Sequence, residues 1–404
     1  MKKVFDWRSV YKPEAKPALF LIVLMLTGIA QGLYKGVQDN YLAEIAHVSA
    51  FERGIVEFFR ELPGLLVVFL LALMYKCTQI RVFKIGTALF LAGIVGLLLC
   101  GTGKAPVVLF IVVFSFGEHI NMPVRNTISL DLAKDGAGGL SLGCSNALAQ
   151  AGNIVGFLIV TTVFFVFSRL GFGTAPLAAF RVVFAVSAAL LVASTLIVLA
   201  MKEREQKAGR RRFYFAKKFT TYYMLEVFYG ARKQIFMTFA PYALILQYGA
   251  NASLMALLLA VCAVFGVILS PAIGTLIDRL GYKFIMVTDT LILIIVCLVF
   301  GFAHRLFPPR VAFIVVCVNF VLDSIISIAS MASNVYVRDI ADSADEVTAT
   351  LSTGISVNHV ISIFIALAGG LIWNTLGIET LFTLSAVLGL INSIYAATIK
   401  LKPA

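Results

Sequence analysis

About twelve apolar runs, each long enough to cross a lipid bilayer, follow one another along this chain. A span needs roughly 20 mostly apolar residues, because about 30 Å of hydrocarbon is crossed at about 1.5 Å per residue. Sixty per cent of the 404 residues are hydrophobic and 13% are charged, with a mean hydropathy of +0.96. A soluble core cannot enclose that much apolar surface. Lipid is therefore the expected solvent, and every buried backbone polar group must be satisfied inside a helix.

The runs are Pro17–Leu42, Phe51–Tyr75, Phe83–Gly101, Val107–Leu132, Leu140–Phe167 and Leu177–Met201, then Phe219–Gln247, Ala252–Ile277, Phe284–Phe302, Val311–Val337, Val347–Trp373 and Leu381–Ile399. The first and the seventh carry charges and are the weakest by composition. With the N-terminus in the cytoplasm, 22 of the 33 Lys and Arg residues fall on the cytoplasmic side and 6 on the other, and 5 lie inside spans. Such a positive-inside bias predicts both termini in the cytoplasm of a cell (inner) membrane protein. The net charge of +12 is then a mark of orientation rather than of nucleic-acid binding.

The longest polar stretch, KEREQKAGRRRFYFAKK at Lys202–Lys218, divides the spans six and six. The expected organisation is an N-terminal tail at 1–16, a six-helix bundle at 17–201, a basic linker at 202–218, a second bundle at 219–399 and a short C-terminal tail at 400–404. The linker reads as a segment lying on anionic headgroups, with docking of a regulatory lipid or a partner as the alternative. Val4, Trp7 and Tyr11, set among basic residues, read as an interfacial anchor. The first apolar run is too long for a signal-peptide core and no cleavage site follows it, so no cleaved leader is expected. The six cysteines sit in spans or at a cytoplasmic edge, which implies no disulfide framework. No spacing suits zinc, haem or a phosphate-binding loop, so no metal, no cofactor and no ATP-driven step is expected. No nucleophile, base and orienting group come together, so the chain does not read as an enzyme.

Six and six spans about a linker suggest two similar halves with a solute site near mid-membrane. Gly274–Lys283, GTLIDRLGYK, resembles the cytoplasmic loop pattern of the major facilitator superfamily. The resemblance implies that superfamily's all-α fold of two pseudo-symmetric six-helix bundles, alternating access, and a cytoplasmic gate at Gly274, Asp278, Arg279, Gly281 and Lys283, with Arg338 as a partner. The equivalent first-half loop, YKCTQIRVFK at Tyr75–Lys84, lacks the Asp and the glycines. Span five has Gly152 and Gly156 but no Pro, unlike the kinked span five of the superfamily's antiporters. The strings RGIVEFFRELPG and LSTGISVNH are similar to a prokaryotic permease branch of unknown substrate.

Ionisable residues within spans are costly and are candidates for function by default. Span one carries Gln31, Lys35 and Asp39 at four-residue steps, beside Gly28, Gly32 and Gly36, a face for close helix approach. Span two carries Glu57, Arg60 and Glu61 before Pro63 and Gly64. Span four holds Glu118 and His119, with Arg125 two turns further in, where the resemblance implies a role in proton coupling. Span seven holds Glu226, Tyr229, Arg232 and Lys233. Span ten holds Asn319 and Asp323, and span eleven holds Asn358 and His359. For each set the alternative to function is structural pairing: an outer seal from spans one and two, Arg125 with Asp131, or Asp323 with His359. Five cations among the span charges favour a small polar solute, an anionic one among the candidates, because Arg binds carboxylates bidentately. The expected function is secondary transport by a monomer, driven by a coupling proton. A drug exporter and a non-transporting membrane sensor are the rivals.

Overall fold

A computed structural model describes residues 10–12, 17–74, 76–173, 176–203 and 214–399. Val4, Trp7, most of the linker at 204–213 and the tail at 400–404 lie outside the described residues. Among those described there is no strand, only one isolated bridge between Tyr11 and Ala133. The helices are α1 Pro17–Asn40, α2 Ala50–Leu73, α3 Gln79–Cys100, α4 Lys104–Leu132, α5 Gly138–Arg169, α6 Leu177–Ala200 and α7 Thr220–Leu246. They continue as α8 Ala252–Leu280, α9 Tyr282–Leu306, α10 Pro309–Ser327, α11 Met331–Ile340, α12 Ala344–Leu376 and α13 Ile378–Ala397. A 3₁₀ turn at Ile328–Ser330 joins α10 to α11 within one apolar stretch, Pro309–Ile340.

Among the described residues, ten helical stretches are long and apolar enough to cross a membrane. α1 is among them despite Lys35 and Asp39. The two long helices that fall short are α2 and α7. α2 carries Glu52, Arg53, Glu57, Arg60 and Glu61, and α7 carries Glu226, Arg232 and Lys233.

The chain condenses into two units that cross the linker boundary twice. The first comprises Met1–His47, Leu66–Arg210 and Asn251–Ala260, and the second Val48–Leu65, Arg211–Ala250 and Val261–Ala404. The physical reasons are local. The start of α2 carries charges whose partners sit on α7 and α12. The start of α8 bonds to α5, where Ser253 Oγ donates to Thr161 O at 3.0 Å.

In the first unit α1 meets α5 backbone to backbone. A Cβ added to Gly28 or Gly32 would fall under 3.0 Å from the carbonyl oxygens of Ala149 or Asn153, and one on Gly152 or Gly156 under 3.0 Å from those of Met25 or Ile29. The four-residue glycine steps on both helices thus make one seam, as their spacing suggests. Phe20, Leu24, Phe83, Ile120, Val124 and Val198 pack in a core that also takes in Val10 and Tyr11. Tyr11 is 4% exposed, so it is held inside the protein rather than at a lipid interface.

In the second unit an aromatic trio, Phe236, Phe300 and Phe382, ties α7, α9 and α13 with ring centroids 4.7–5.6 Å apart. Gly281, between α8 and α9, has φ +83° and ψ 147°, a conformation open essentially to glycine alone. That explains the glycine at this point of GTLIDRLGYK.

Candidate functional site

The first unit contains a cavity of about 390 Å³. Helical spacing builds its walls: Thr27, Gln31 and Lys35 from α1, Glu118, Asn121 and Arg125 from α4, and Asn146, Gln150 and Asn153 from α5, with Phe83 and Phe90 from α3. Each polar set recurs every three or four residues, so each lies on one helix face. Lys35 Nζ donates to Glu118 Oε1 at 2.5 Å. Arg125 Nη2 donates to Asn146 Oδ1 at 3.1 Å, and Asn153 Nδ2 to Gln150 Oε1 at 2.8 Å. The Lys35–Glu118 pair is neutral, so Arg125 leaves the lining with one surplus positive charge. Arg125 Nε, Asn121 Oδ1 and Asn153 Oδ1 are buried with no hydrogen-bond partner among the described residues. Such atoms are costly and mark a polar surface short of its complement.

Gln31, Lys35, Glu118 and Arg125 therefore converge, from two spans, on one space. Asp39 lies one turn beyond Lys35 and does not line the cavity. Glu118 and His119 are neighbours in sequence but diverge in space, because consecutive helical residues point about 100° apart. His119 Nδ1 turns to Ser115, 2.9 Å from its carbonyl oxygen and 3.1 Å from its hydroxyl.

In the second unit the start of α2 presents Arg53, Glu57, Arg60 and Glu61 on one face. Glu57 is 2% exposed and accepts from Arg53 Nη1 at 2.9 Å, from Arg60 Nε at 2.8 Å and Nη2 at 2.6 Å, and from Gln234 Nε2 on α7 at 2.8 Å. Glu61 takes a short bond from Arg60, and its Oε2 lies 2.9 Å from His359 Nδ1 on α12. Asp323 and His359, the pair offered as the structural alternative, each meet another partner, Arg232 and Glu61. Asp323 accepts from Arg232 Nη1 at 2.9 Å, and Arg232 is 2% exposed. Tyr229 faces both cations of α7, with its ring centroid 5.4 Å from Arg232 and 5.9 Å from Lys233. Asn358 donates to Glu226 at 3.3 Å. Asn319 is 6% exposed, and its amide nitrogen has no partner among the described residues.

At the loop between α8 and α9 Asp278 and Arg279 are exposed, and Gly274 has open space about it. The bonds come instead from the two residues after Gly281: the Tyr282 hydroxyl donates to Asp339 at 3.0 Å and Lys283 Nζ to Ile399 O at 2.8 Å. Arg338 lies beside Asp339 at the end of α11. In the first unit, where the loop lacks its Asp, Thr78 caps α3 and Glu203 beyond α6 gathers Arg81 and Lys84, both at 3.3 Å. At the start of α12 Glu346 accepts from Asp342 N at 2.6 Å, from Lys218 Nζ at 2.7 Å and from Tyr214. The backbone N–H first, and Lys218 and Tyr214 after it, hold its carboxyl down to about 2.

Sequence reasoning missed Arg53, Gln234, Asn121 and the amide row on α5. Arg53 was countable as a partner of Glu57, since the two are one helical turn apart. Asn146, Gln150 and Asn153 sit at steps of four and three, the signal of a polar face on an otherwise apolar span.

Residues 222–404 match the family model described as Major Facilitator Superfamily. No curated protein sequence matches the chain. Among solved structures the chain is similar to a D-xylose–proton symporter, at 12% identity and TM-score 0.75, over 95% of this chain and 98% of that one. It is also similar to the nucleoside transporter NupG, at 13% identity and TM-score 0.71, over 95% and 99%. A POT family transporter in complex with 5-aminolevulinic acid follows at 10% identity and TM-score 0.71, over 93% and 94%. At these identities the likeness is one of fold.

Proposed function

We propose that this chain, a member of the Major Facilitator Superfamily by its match over residues 222–404, is a secondary active transporter of a small polar, anionic solute, coupled to protons. It works by alternating access, with twelve spans and both termini in the cytoplasm of the cell membrane. The observation that carries this reading is the cavity of about 390 Å³ with its surplus positive charge at Arg125. A carboxylate accepts two parallel bonds from a guanidinium, and the amides of Asn121, Asn146, Gln150 and Asn153 offer donors and acceptors to the rest of a hydroxylated or amide-bearing solute.

The same geometry supports proton coupling. Glu118 is paired with Lys35. A solute carboxylate that competes for Lys35 leaves Glu118 in a cavity wall without its cation, where it takes up a proton. Solute and proton then bind together. A hydrophobic cation meets Arg125 and Lys35 as like charges, which disfavours the drug-exporter reading.

The test is flux into proteoliposomes across a screen of small carboxylates, sugars, nucleosides and hydrophobic cations, with and without a pH gradient. Saturable, gradient-driven uptake of an anion is expected. Glu118→Gln should then retain exchange of solute for solute while losing its response to the gradient. Uptake confined to hydrophobic cations would overturn the reading, as would gradient-driven uptake that survives Glu118→Gln.

A further inference from the structure

A second, much smaller cavity lies wholly within the second unit, among α7, α9, the 3₁₀ turn before α11, and α13. Its volume is about 20 Å³, room for one particle the size of a water molecule. Two carboxylates from different helices line it, Glu226 of α7 and Asp289 of α9, with Ser330, Ser333 and Asn392 completing the polar wall.

Neither carboxylate has an ion pair among the described residues. Glu226 receives only long bonds, 3.4 Å from Ser333 Oγ and 3.3 Å from Asn358 Nδ2, and Asp289 receives Thr290 Oγ1 at 3.0 Å. Two anionic groups that share so small a space repel each other, and a cation between them relieves that repulsion. Asn392 supplies an independent sign. It is 8% exposed, its amide nitrogen donates to Thr290 at 3.2 Å, and its Oδ1 has no hydrogen-bond partner among the described residues. The site thus holds a buried acceptor with no donor, beside two acids. The wall also includes the point where α10 gives way to 3₁₀ geometry at Ile328–Ser330. Interrupted helices are where membrane transporters bring oxygens to small ions.

The donor set is all oxygen, which selects a hard cation over the transition metals. Mg²⁺ keeps several of its waters, and a cavity of about 20 Å³ has no room for them. K⁺ is about the size of a water molecule and fits the space, but anionic carboxylate oxygens are a strong field that holds the smaller Na⁺ more tightly. Lys233 is near enough to attract Glu226 and so offsets the charge that one monovalent ion leaves over. Arg232 faces Asp289 but is committed to Asp323 at 2.9 Å.

We propose that Glu226, Asp289, Ser330, Ser333 and Asn392 form a binding site for one Na⁺ ion that ties α7 to α9, α11 and α13. The site stands apart from the solute cavity of the first unit and does not depend on which solute is carried.

The experiment is thermal unfolding of the full chain in detergent, at fixed pH and ionic strength, with choline chloride exchanged for NaCl or KCl. A saturable rise in Tm with Na⁺ and none with K⁺ is expected. Asp289→Asn should abolish it. Ser333→Ala, which removes one neutral ligand and keeps both acids, should weaken the apparent Na⁺ affinity by at least the tenfold that loss of a supporting contact costs. If Asp289→Asn does not fold, Ser333→Ala decides alone. Absence of a Na⁺-specific shift in the natural chain overturns the proposal. So does an unchanged Na⁺ affinity in Ser333→Ala, or a shift that follows pH and ignores Na⁺, which would mean a shared proton. Solute flux scored on the same preparation keeps this result separate from the transport reading.

Discussion

The two units handle buried charge in opposite ways. In the first, Arg125 borders about 390 Å³ of space and donates to the neutral Asn146. In the second, Arg232 is 2% exposed and locked to Asp323 at 2.9 Å, and Glu57 is enclosed by Arg53, Arg60 and Gln234. A guanidinium that borders open space is a binding surface, whereas one ion-paired to a buried carboxylate is a fastening. Both types of residue look alike in a list of charges inside spans, and only their partners separate them.

That contrast can be broken by mutation. The largest expected effect is Asp323→Ala, which leaves Arg232 buried and uncompensated at a cost of about 3–5 kcal/mol. Loss of folded protein in a thermal melt, or no recoverable protein at all, would report it. Next is Gly32→Val in the α1–α5 seam, where the new side chain meets the carbonyl oxygen of Asn153. Overpacking of this kind costs about 1–3 kcal/mol, read as a lower Tm with the helix content unchanged. Arg125→Gln sits at the other pole. Its stability cost should stay under about 1 kcal/mol, because it relieves a buried unsatisfied donor. Solute affinity should fall by roughly 10- to 100-fold, the value of a charge-assisted bond. If Arg125→Gln destabilised the protein as much as Asp323→Ala, the contrast would fail.

The smallest effect is at the start of α12. Glu346 is held down to about 2 by the Asp342 N–H, Lys218 and Tyr214. A carboxyl lowered on folding lends stability above its unfolded value and loses it as pH falls through the folded one. The contribution should therefore be intact near neutrality and disappear between about pH 4.5 and 2. Comparing Tm against pH for Glu346→Gln and the natural chain checks it: the two curves should converge at the acidic end.

Much of this was legible in the sequence because lipid imposes a one-dimensional code: length and apolarity mark the spans, and small residues at steps of four mark close approach. Gly28, Gly32, Gly152 and Gly156 announced a seam, and only their mutual pairing awaited the structure. The candidate charges were legible for the same reason, as exceptions in an apolar background. Their partners were not. Lys35 finds Glu118 across 83 positions and His359 finds Glu61 across 298, and no local pattern encodes such distances. The division into units was also beyond reach. Nothing in AFERGIVEFFRELPG states that its acids and arginines are satisfied by side chains from α7 and α12 rather than by those of α1. Arg53 was hidden by its position near a helix start, where a cation reads as a loop residue.

The seam between α1 and α5 has a consequence for how the chain is made. The glycine face of α1 emerges from the ribosome first, yet its partner ends at Arg169. Until α5 enters the bilayer, α1 must wait with a bare backbone stripe turned to lipid tails or to a chaperone. The seam is therefore closed out of sequence order, by a late helix meeting an early one across the three synthesised between them. A ribosome stalled before Gly152 should hold a nascent chain that is inserted but still open to protease.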